Sequence, residues 1–191
     1  HPGNPVYRVL PNGTSAVLVR DGVIYLSGFG PSRAGNRPFL DRLDLSSMKT
    51  ERLFRSSTNS IETFLTWLDI EKGTFLTRRQ SRVDPPNLFV RTLQGTSPGQ
   101  PQPGEPSWES TTTQITQFAD PTPQLRQISK ELVTYKRADG LPLSFTLYLP
   151  PGNQKGTPLP TVVWAYPLDY TDPSAAGQVS ADAGERVAQA G

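Results

Sequence analysis

The 191 residues carry 35% hydrophobic and 19% charged side chains with 20 Pro and 16 Gly, so a helix bundle with a large core is disfavoured against a turn-rich, β-rich chain. The net charge of +2 comes from 19 basic and 17 acidic residues, too little and too dispersed to argue for a nucleic-acid or anionic-membrane partner. The absence of Cys removes any disulfide framework, thiolate nucleophile or Cys-ligated metal, without deciding the compartment.

No run approaches the length of a membrane span, and the amino end is not a signal peptide. The chain begins His-Pro-Gly and its only Met is Met48. A processed, excised or incompletely sequenced chain is the expected explanation.

Residues 1–118 read as β-meander material. Residues 14–19 and 22–27 are expected strands, joined by a turn at Asp21-Gly22. Residues 28–38 form a Gly-, Ser- and Pro-rich loop. Residues 39–45 and 50–54 make the next pair, around a turn at 46–49. Strands at 61–68, 74–79, 88–93 and 112–118 continue the series, with turn clusters at 69–73 and 82–87. There is a weak internal repeat: F-L-D-R-L-D-L followed by T-E-R-L-F is similar to N-L-F-V-R-T-L followed by T-Q-I-T-Q-F. Four short strands per unit at a period of roughly 40–50 residues is the signature of β-propeller blades. Two blades are expected, at 14–55 and 60–118, with a small β-sandwich or irregular meander as the alternative. Residues 95–110 (GTSPGQPQPGEPSWES) form a low-complexity insert that lacks the apolar surface to order itself, Trp108 excepted, and is expected to be a mobile hairpin loop. Residues 119–130 are the linker, biased to extended geometry by Pro121 and Pro123 and docked by Leu125 and Ile128.

The stretch from 130 to 179 is the most informative. Residues 131–136 and 143–149 alternate apolar residues, and the turn between them is built on Asp139-Gly140, where Gly accepts positive φ. Pro150-Pro151-Gly152 stops the second strand. Residues 161–166 (TVVWAY) are a short continuous apolar run that suits a strand buried on both faces. Small residues at 180–191 could start a helix but lack an apolar stripe.

This order, V-T-Y-K-R-A-D-G-L-P-L-S-F-T-L-Y-L-P-P-G and then V-V-W-A-Y-P, resembles the entry into the catalytic domain of the prolyl oligopeptidase family of serine peptidases, in its glutamyl-endopeptidase-like and acylaminoacyl-peptidase-like branch. Asp84-Pro85-Pro86-Asn87 also resembles part of that family's final blade. The resemblance implies a β-rich fragment: two blades of a β-propeller, at 1–118, followed by the first strands of an α/β-hydrolase domain, at 131–191. It implies a peptide or oligopeptide substrate and a parent enzyme acting through an acyl-enzyme.

Such an enzyme needs a nucleophilic Ser, a base, an orienting acid and oxyanion donors. One G-x-S-x-G occurs, Gly95-Thr96-Ser97-Pro98-Gly99, and it is rejected. It lies in the Pro-rich insert, and Pro98 has no N–H to offer an oxyanion. The only His is His1, ahead of any expected element. The resemblance implies that Tyr166 donates its phenol O–H to the oxyanion, against the plainer role of a core aromatic capping the sheet. Pro167-Leu168-Asp169 after it depart from the family's Gly-rich pattern. The nucleophile, acid and base are expected beyond residue 191, so the chain by itself is expected to be inactive. One His, no Cys and no phosphate-binding Gly loop leave no expected metal or cofactor. Carboxylates such as Asp41 and Asp44 are assigned nothing, and the basic stretch 78–82 is read as a solvated edge. The rival reading is a non-catalytic β-rich binding or scaffold protein. A third reading, an esterase or lipase of the same fold, differs only downstream.

Overall fold

The computed structural model describes residues 3–30, 36–81, 83–96, 101–140 and 142–164. Among them the chain forms antiparallel strands and one short 3-10 turn. Strands β1 (Asn4–Pro5), β2 (Tyr7–Val9), β3 (Ser15–Val17), β4 (Val19–Arg20), β5 (Val23–Gly28), β6 (Phe39–Asp44) and β7 (Thr50–Arg55) come first. β5, β6 and β7 are successive neighbours, and the free edge of β5 is shared between β4 and β1. β2 pairs with β3 as a separate two-stranded ribbon. The expected 14–19 strand is thus split at Leu18, whose N–H donates to the Val6 carbonyl (2.9 Å). β1 and β2 were not anticipated, because runs of two and three residues next to Pro5 carry too little periodicity.

The turns follow side-chain chemistry. Asp21 and Gly22 both have positive φ (47° and 74°) between the paired residues Arg20 and Val23. Two positive-φ residues make the tight hairpin turn that matches strand twist. At the next turn the Asp44 carboxylate accepts the N–H groups of Ser46 (2.9 Å) and Ser47 (2.8 Å) and both their hydroxyls.

β8 (Ile61–Asp69), β9 (Thr74–Gln80), β10 (Asn87–Thr96) and β11 (Trp108–Gln114) form a four-stranded meander in chain order. Two bulges in β8 leave Leu65 and Leu68 without partners on β9, and both side chains are exposed. The extra residue at a bulge breaks the two-residue alternation, which is how a nine-residue strand matches a seven-residue one. β11 starts and ends four residues before the expected strand. Its ladder is extended only by Ile115 N–H to the Leu88 carbonyl; the Thr116 hydroxyl then takes the Leu88 N–H. Asn87 accepts from Thr116 Oγ1 (2.9 Å) and the Phe118 N–H (2.8 Å), which pins the departing chain.

The two sheets share one core. Leu40, Leu53 and Phe54 of the first meet Phe64 and Phe75 of the second, with Tyr25, Trp67, Leu93 and Trp108 packed around them. Phe75 sits 5.9 Å from Phe54, 5.8 Å from Phe64 and 5.4 Å from Trp67, centroid to centroid, in edge-on or tilted contacts that aromatic quadrupoles favour.

The expected linker is not extended throughout. Residues Pro123–Gln127 form the 3-10 turn, with Pro at its start, where a missing N–H costs nothing. Asp120 accepts the Thr122 N–H (2.9 Å) and Arg126 Nε (2.8 Å). Leu125 and Ile128 are half-buried, in line with docking. β12 (Ser129–Lys136) and β13 (Pro142–Leu149) then make the hairpin, with Val133 opposite Phe145 and Tyr135 opposite Leu143. Gly140, at φ 87°, donates its N–H to the Arg137 carbonyl (2.8 Å) across the turn.

The expected buried strand at 161–166 is not formed over its described part. Residues 161–164 have no ladder, and Val162 and Trp164 are 90% and 87% exposed. A strand buried on both faces needs neighbours and covering layers, and the described residues place none beside it.

Candidate functional site

Of the residues singled out for chemistry, Tyr166, Ser97 and His1 lie outside the described residues. The described residues concentrate their charge elsewhere, at two arginine–carboxylate clusters between and beside the sheets.

The first is centred on Glu62, 2% exposed on β8. Its Oε1 accepts Thr77 Oγ1 (2.7 Å) and Arg91 Nε (2.6 Å), and its Oε2 accepts Arg91 Nη2 (2.8 Å). Arg91 Nη1 donates to Ser110 Oγ (2.8 Å), and the guanidinium lies 4.9 Å from the Phe54 ring centroid. The Ser56 hydroxyl accepts the Glu62 N–H (2.9 Å) and donates to the Ser60 carbonyl (2.7 Å). Nearby, Arg79 stacks over Phe89 at 3.8 Å and comes within 3.9 Å of Glu62. The stretch at 78–82 is therefore not simply a solvated edge, although Arg78 is exposed. This cluster joins strands and has no group free to react.

The second cluster opens toward solvent. Arg37 precedes β6, and Arg52 and Arg55 lie on β7. Residues three apart on a regular strand face opposite ways. Here Arg52 is opposite Asp41 and Arg55 opposite Phe39, with Leu53 the extra residue of a bulge. Asp41 and Phe39 are two apart and share a face, so the bulge brings both arginines to one side. Arg52 holds Asp41, itself 2% exposed, through Nε (2.7 Å) and Nη2 (3.1 Å). Asp41 is thus a buried partner, whereas Asp44 only caps an exposed turn; the two do not form a pair.

Across this surface runs the segment 101–107, between β10 and β11. Arg37 takes the Glu105 carboxylate with Nη1 (2.6 Å) and Nη2 (3.0 Å), and Arg55 Nη1 approaches it at 3.4 Å. Arg52 Nη1 and Arg55 Nη1 both donate to the Gly104 carbonyl at 2.9 Å. The Ser107 N–H donates to the Arg52 carbonyl (3.0 Å), and Trp108 Nε1 to Glu51 Oε1 (2.7 Å). This overturns the expectation for the insert: residues 95–96 and 108–110 are strand, and 101–107 are held by directed hydrogen bonds. The reasoning from composition was sound about apolar surface, since none of 101–107 is a large hydrophobe. What it missed was charge pairing with residues 50 and 68 positions away. A cleft of about 380 Å3 lies against the segment, lined by Asp41, Thr50, Glu51, Arg52 and residues 101–105 and 107.

Electrostatics match this geometry. Burial, then the neighbouring Arg37 guanidinium, pull the Arg55 pKa down. The hydrogen bond from Arg37, with the charges of Arg37, Arg55 and Arg52, holds the Glu105 carboxyl below its ordinary 4.5 against some desolvation. Glu105 therefore binds a proton more readily unfolded than folded. Its stabilising contribution is complete above pH 4.5 and is lost as pH falls through the lower folded-state value. The expected result is a small gap in Tm between the wild type and Glu105→Gln at pH 7 that closes on acidification toward pH ~3. A gap independent of pH would mean that the carboxylate charge plays no part.

Chemically this cluster binds carboxylate and carbonyl oxygens. Among the described residues no group of three His, Cys, Asp or Glu side chains is arranged to hold a metal. Arg37, Arg52, Arg55 and Glu105 were not singled out from the sequence, and the arginines' spacing gave no reason to do so, because only the bulge aligns them.

No family model matches the chain. It is 34% identical over 196 residues to a protein named probable glutamyl endopeptidase, chloroplastic, of Oryza sativa subsp. japonica, covering 93% of this chain and 19% of that protein. It is 34% identical over 160 residues to the protein of the same name from Arabidopsis thaliana, covering 82% of this chain and 16% of that one. The chain thus spans under a fifth of the length of the curated relatives it matches. The solved structure of the AtxE2 isopeptidase in its apo form aligns with a TM-score of 0.36 and 18% identity, covering 78% of this chain and 22% of that one. In sequence the chain is similar to proteins that carry a peptidase name.

Proposed function

We propose that this chain is the part of a prolyl-oligopeptidase-family serine peptidase in which a β-propeller passes into the α/β-hydrolase domain. Residues 1–118 are two blades, with the insert at 95–110 on the second. Residues 119–130 are the linker, and 131–191 open the hydrolase domain. The observation that carries this reading is the order of elements. Two successive sheets of four strand positions each, packed face to face on one aromatic core, are followed by a short turn and the hairpin β12–β13. The similarity to glutamyl endopeptidases over 93% of the chain supports it.

In this reading the substrate is a peptide or oligopeptide, and the blades restrict its access. The nucleophile, acid and base come from residues outside these 191, since neither Ser97 nor His1 has the context of a triad member. Tyr166 supplies one oxyanion donor. Such a donor strengthens its hydrogen bond as negative charge develops on the carbonyl oxygen, and losing one costs about 10²–10³ in kcat.

The test is labelling by a serine-reactive fluorophosphonate. The product of the full reading frame takes up the probe, and the 191-residue chain does not. In the full product Tyr166→Phe lowers kcat by about a hundredfold. Stoichiometric labelling of the 191-residue chain would overturn the reading. So would an unlabelled full-length product, which would favour a non-catalytic binding protein.

A further inference from the structure

Two of the three arginines under residues 101–107 are held in place without them. Arg37 Nε is fixed by the Ser56 carbonyl (3.0 Å), and Arg52 by Asp41 and by stacking on Phe39 at 4.3 Å. Arg55 is brought to this side by its register opposite Phe39, and its guanidinium donates to Gly104 and Glu105 of the segment itself. Arg37, Arg52 and Arg55 here face Asp41 and Glu105, and Glu51, which lines the same cleft, is paired with Arg42, so the cluster keeps an excess of positive charge even with Glu105 in place. Arg55 Nε is buried without a hydrogen-bond acceptor among the described residues.

The surface reads two features of its occupant. Arg52 and Arg55 converge on a main-chain carbonyl, and Arg37 takes the carboxylate of the following residue in a bidentate grip. Paired N–H donors to one carboxylate add geometric selectivity to charge attraction. At Gly104, φ is 84°, and a Cβ would come 2.9 Å from Arg55 Nη1. The positive φ therefore favours glycine before the glutamate, while the contact with Arg55 Nη1 is one that the end of a flexible side chain can relieve. The charge pair of the occupant is partly solvated. Glu105 has a side chain 36% exposed, and such partly solvated ion pairs contribute little, about 0–1 kcal/mol. The open cleft alongside leaves room for a chain of different course.

We propose that Arg37, Arg52 and Arg55 form a binding site for an acidic peptide segment of the type Gly-Glu, and that residues 101–107 are a displaceable strap whose Gly104-Glu105 occupies that site in cis. The site recognises a carbonyl and the next residue's carboxylate, and a peptide offering both in trans competes with the strap. No catalytic step is involved, and the proposal stands whether or not the peptidase reading holds.

The experiment is calorimetric titration of the 191-residue chain with N-acetyl-Gly-Glu-Pro-amide and with its Gln counterpart. Glu105→Ala removes the resident carboxylate and is expected to bind the Glu peptide at least tenfold more tightly than the wild type does. The same variant should bind the Gln peptide at least tenfold more weakly than the Glu peptide. Adding Arg37→Ala should abolish binding. Equal affinity for the two peptides, no gain over the wild type, or binding that survives Arg37→Ala each overturns the proposal. Far-UV circular dichroism and a thermal melt check folding. Should Glu105→Ala fail to fold, Glu105→Gln, which keeps the length of the side chain, takes its place in the same titration. Should both fail, Glu105 is an indispensable structural clasp rather than a displaceable occupant, and the proposal is wrong.

Discussion

Phe75→Ala destabilises the chain by about 3–5 kcal/mol, the range for removing a buried aromatic ring. Phe75 is 0% exposed and lies on β9, where it touches Phe64 and Trp67 of its own sheet and Phe54 of the other. Its loss therefore empties the centre of the aromatic contact between the sheets, leaving the edge-on Tyr25–Trp67 pair at 4.9 Å as another point where rings of both sheets meet. Backbone hydrogen bonding on β9 holds Phe75 between Trp67 on one side and Arg91 on the other, which leaves little freedom for collapse around the gap. Urea unfolding followed by tryptophan fluorescence measures the effect, as a lower midpoint with unchanged slope. Phe145→Ala on the half-exposed hairpin face is the contrast and should cost much less. A loss below about 1 kcal/mol for Phe75→Ala would mean that the two sheets do not depend on a common core.

Glu62→Ala is expected to be comparably costly, about 3–5 kcal/mol, for an electrostatic reason. The substitution leaves the guanidinium of Arg91, mostly buried, without the carboxylate that takes two of its N–H groups, and leaves the Thr77 hydroxyl only its longer contact with the Phe89 carbonyl (3.4 Å). The penalty belongs to breaking the pair and not to losing attraction as such. The double variant Glu62→Leu/Arg91→Met should therefore recover most of the loss, because it removes both charges and keeps the volume filled. Denaturant curves for the single and double variants decide this. A double variant no more stable than Glu62→Ala would mean that the cluster's value lies in its geometry and not in charge neutrality.

The peptide-site proposal and these core predictions separate cleanly. Glu62 and Arg91 sit between the sheets and hydrogen-bond to each other, to Thr77 and to Ser110. Glu105 sits at the rim, 36% exposed, although the Arg37 and Arg55 side chains that hold it are themselves mostly buried. One cluster is a joint, and the other is a surface that its own loop covers.

Most strands were legible from local sequence. Two-residue alternation marked β5 to β10 and the β12–β13 hairpin, and Asp21-Gly22 and Asp139-Gly140 marked two turns by their tolerance of positive φ. These are properties of a few neighbouring residues, and neighbours in sequence are what a strand's alternation and a tight turn depend on. Residues 161–164 went the other way. Their apolar run satisfies the local pattern for a buried strand, yet burial is supplied by other segments, and among the described residues none lies there.

The sequence by itself determined a β-rich chain, its hairpin positions and the resemblance at 130–179. Each of these rests on spacing along the chain. Tertiary structure alone decided that Asp41 is a buried partner, that a low-complexity segment is held by Arg37, Arg52 and Arg55, and that two arginines three residues apart face the same way. The physical reason is register. A single bulge at Leu53 reverses the facing of every residue after it, and the ion pair between Arg37 and Glu105 and the hydrogen bond from Arg52 to the Gly104 carbonyl arise only when two sheets have packed. Such pairings cost nothing in local propensity and leave no periodic trace, so composition read the strap as mobile where charge had already tied it down.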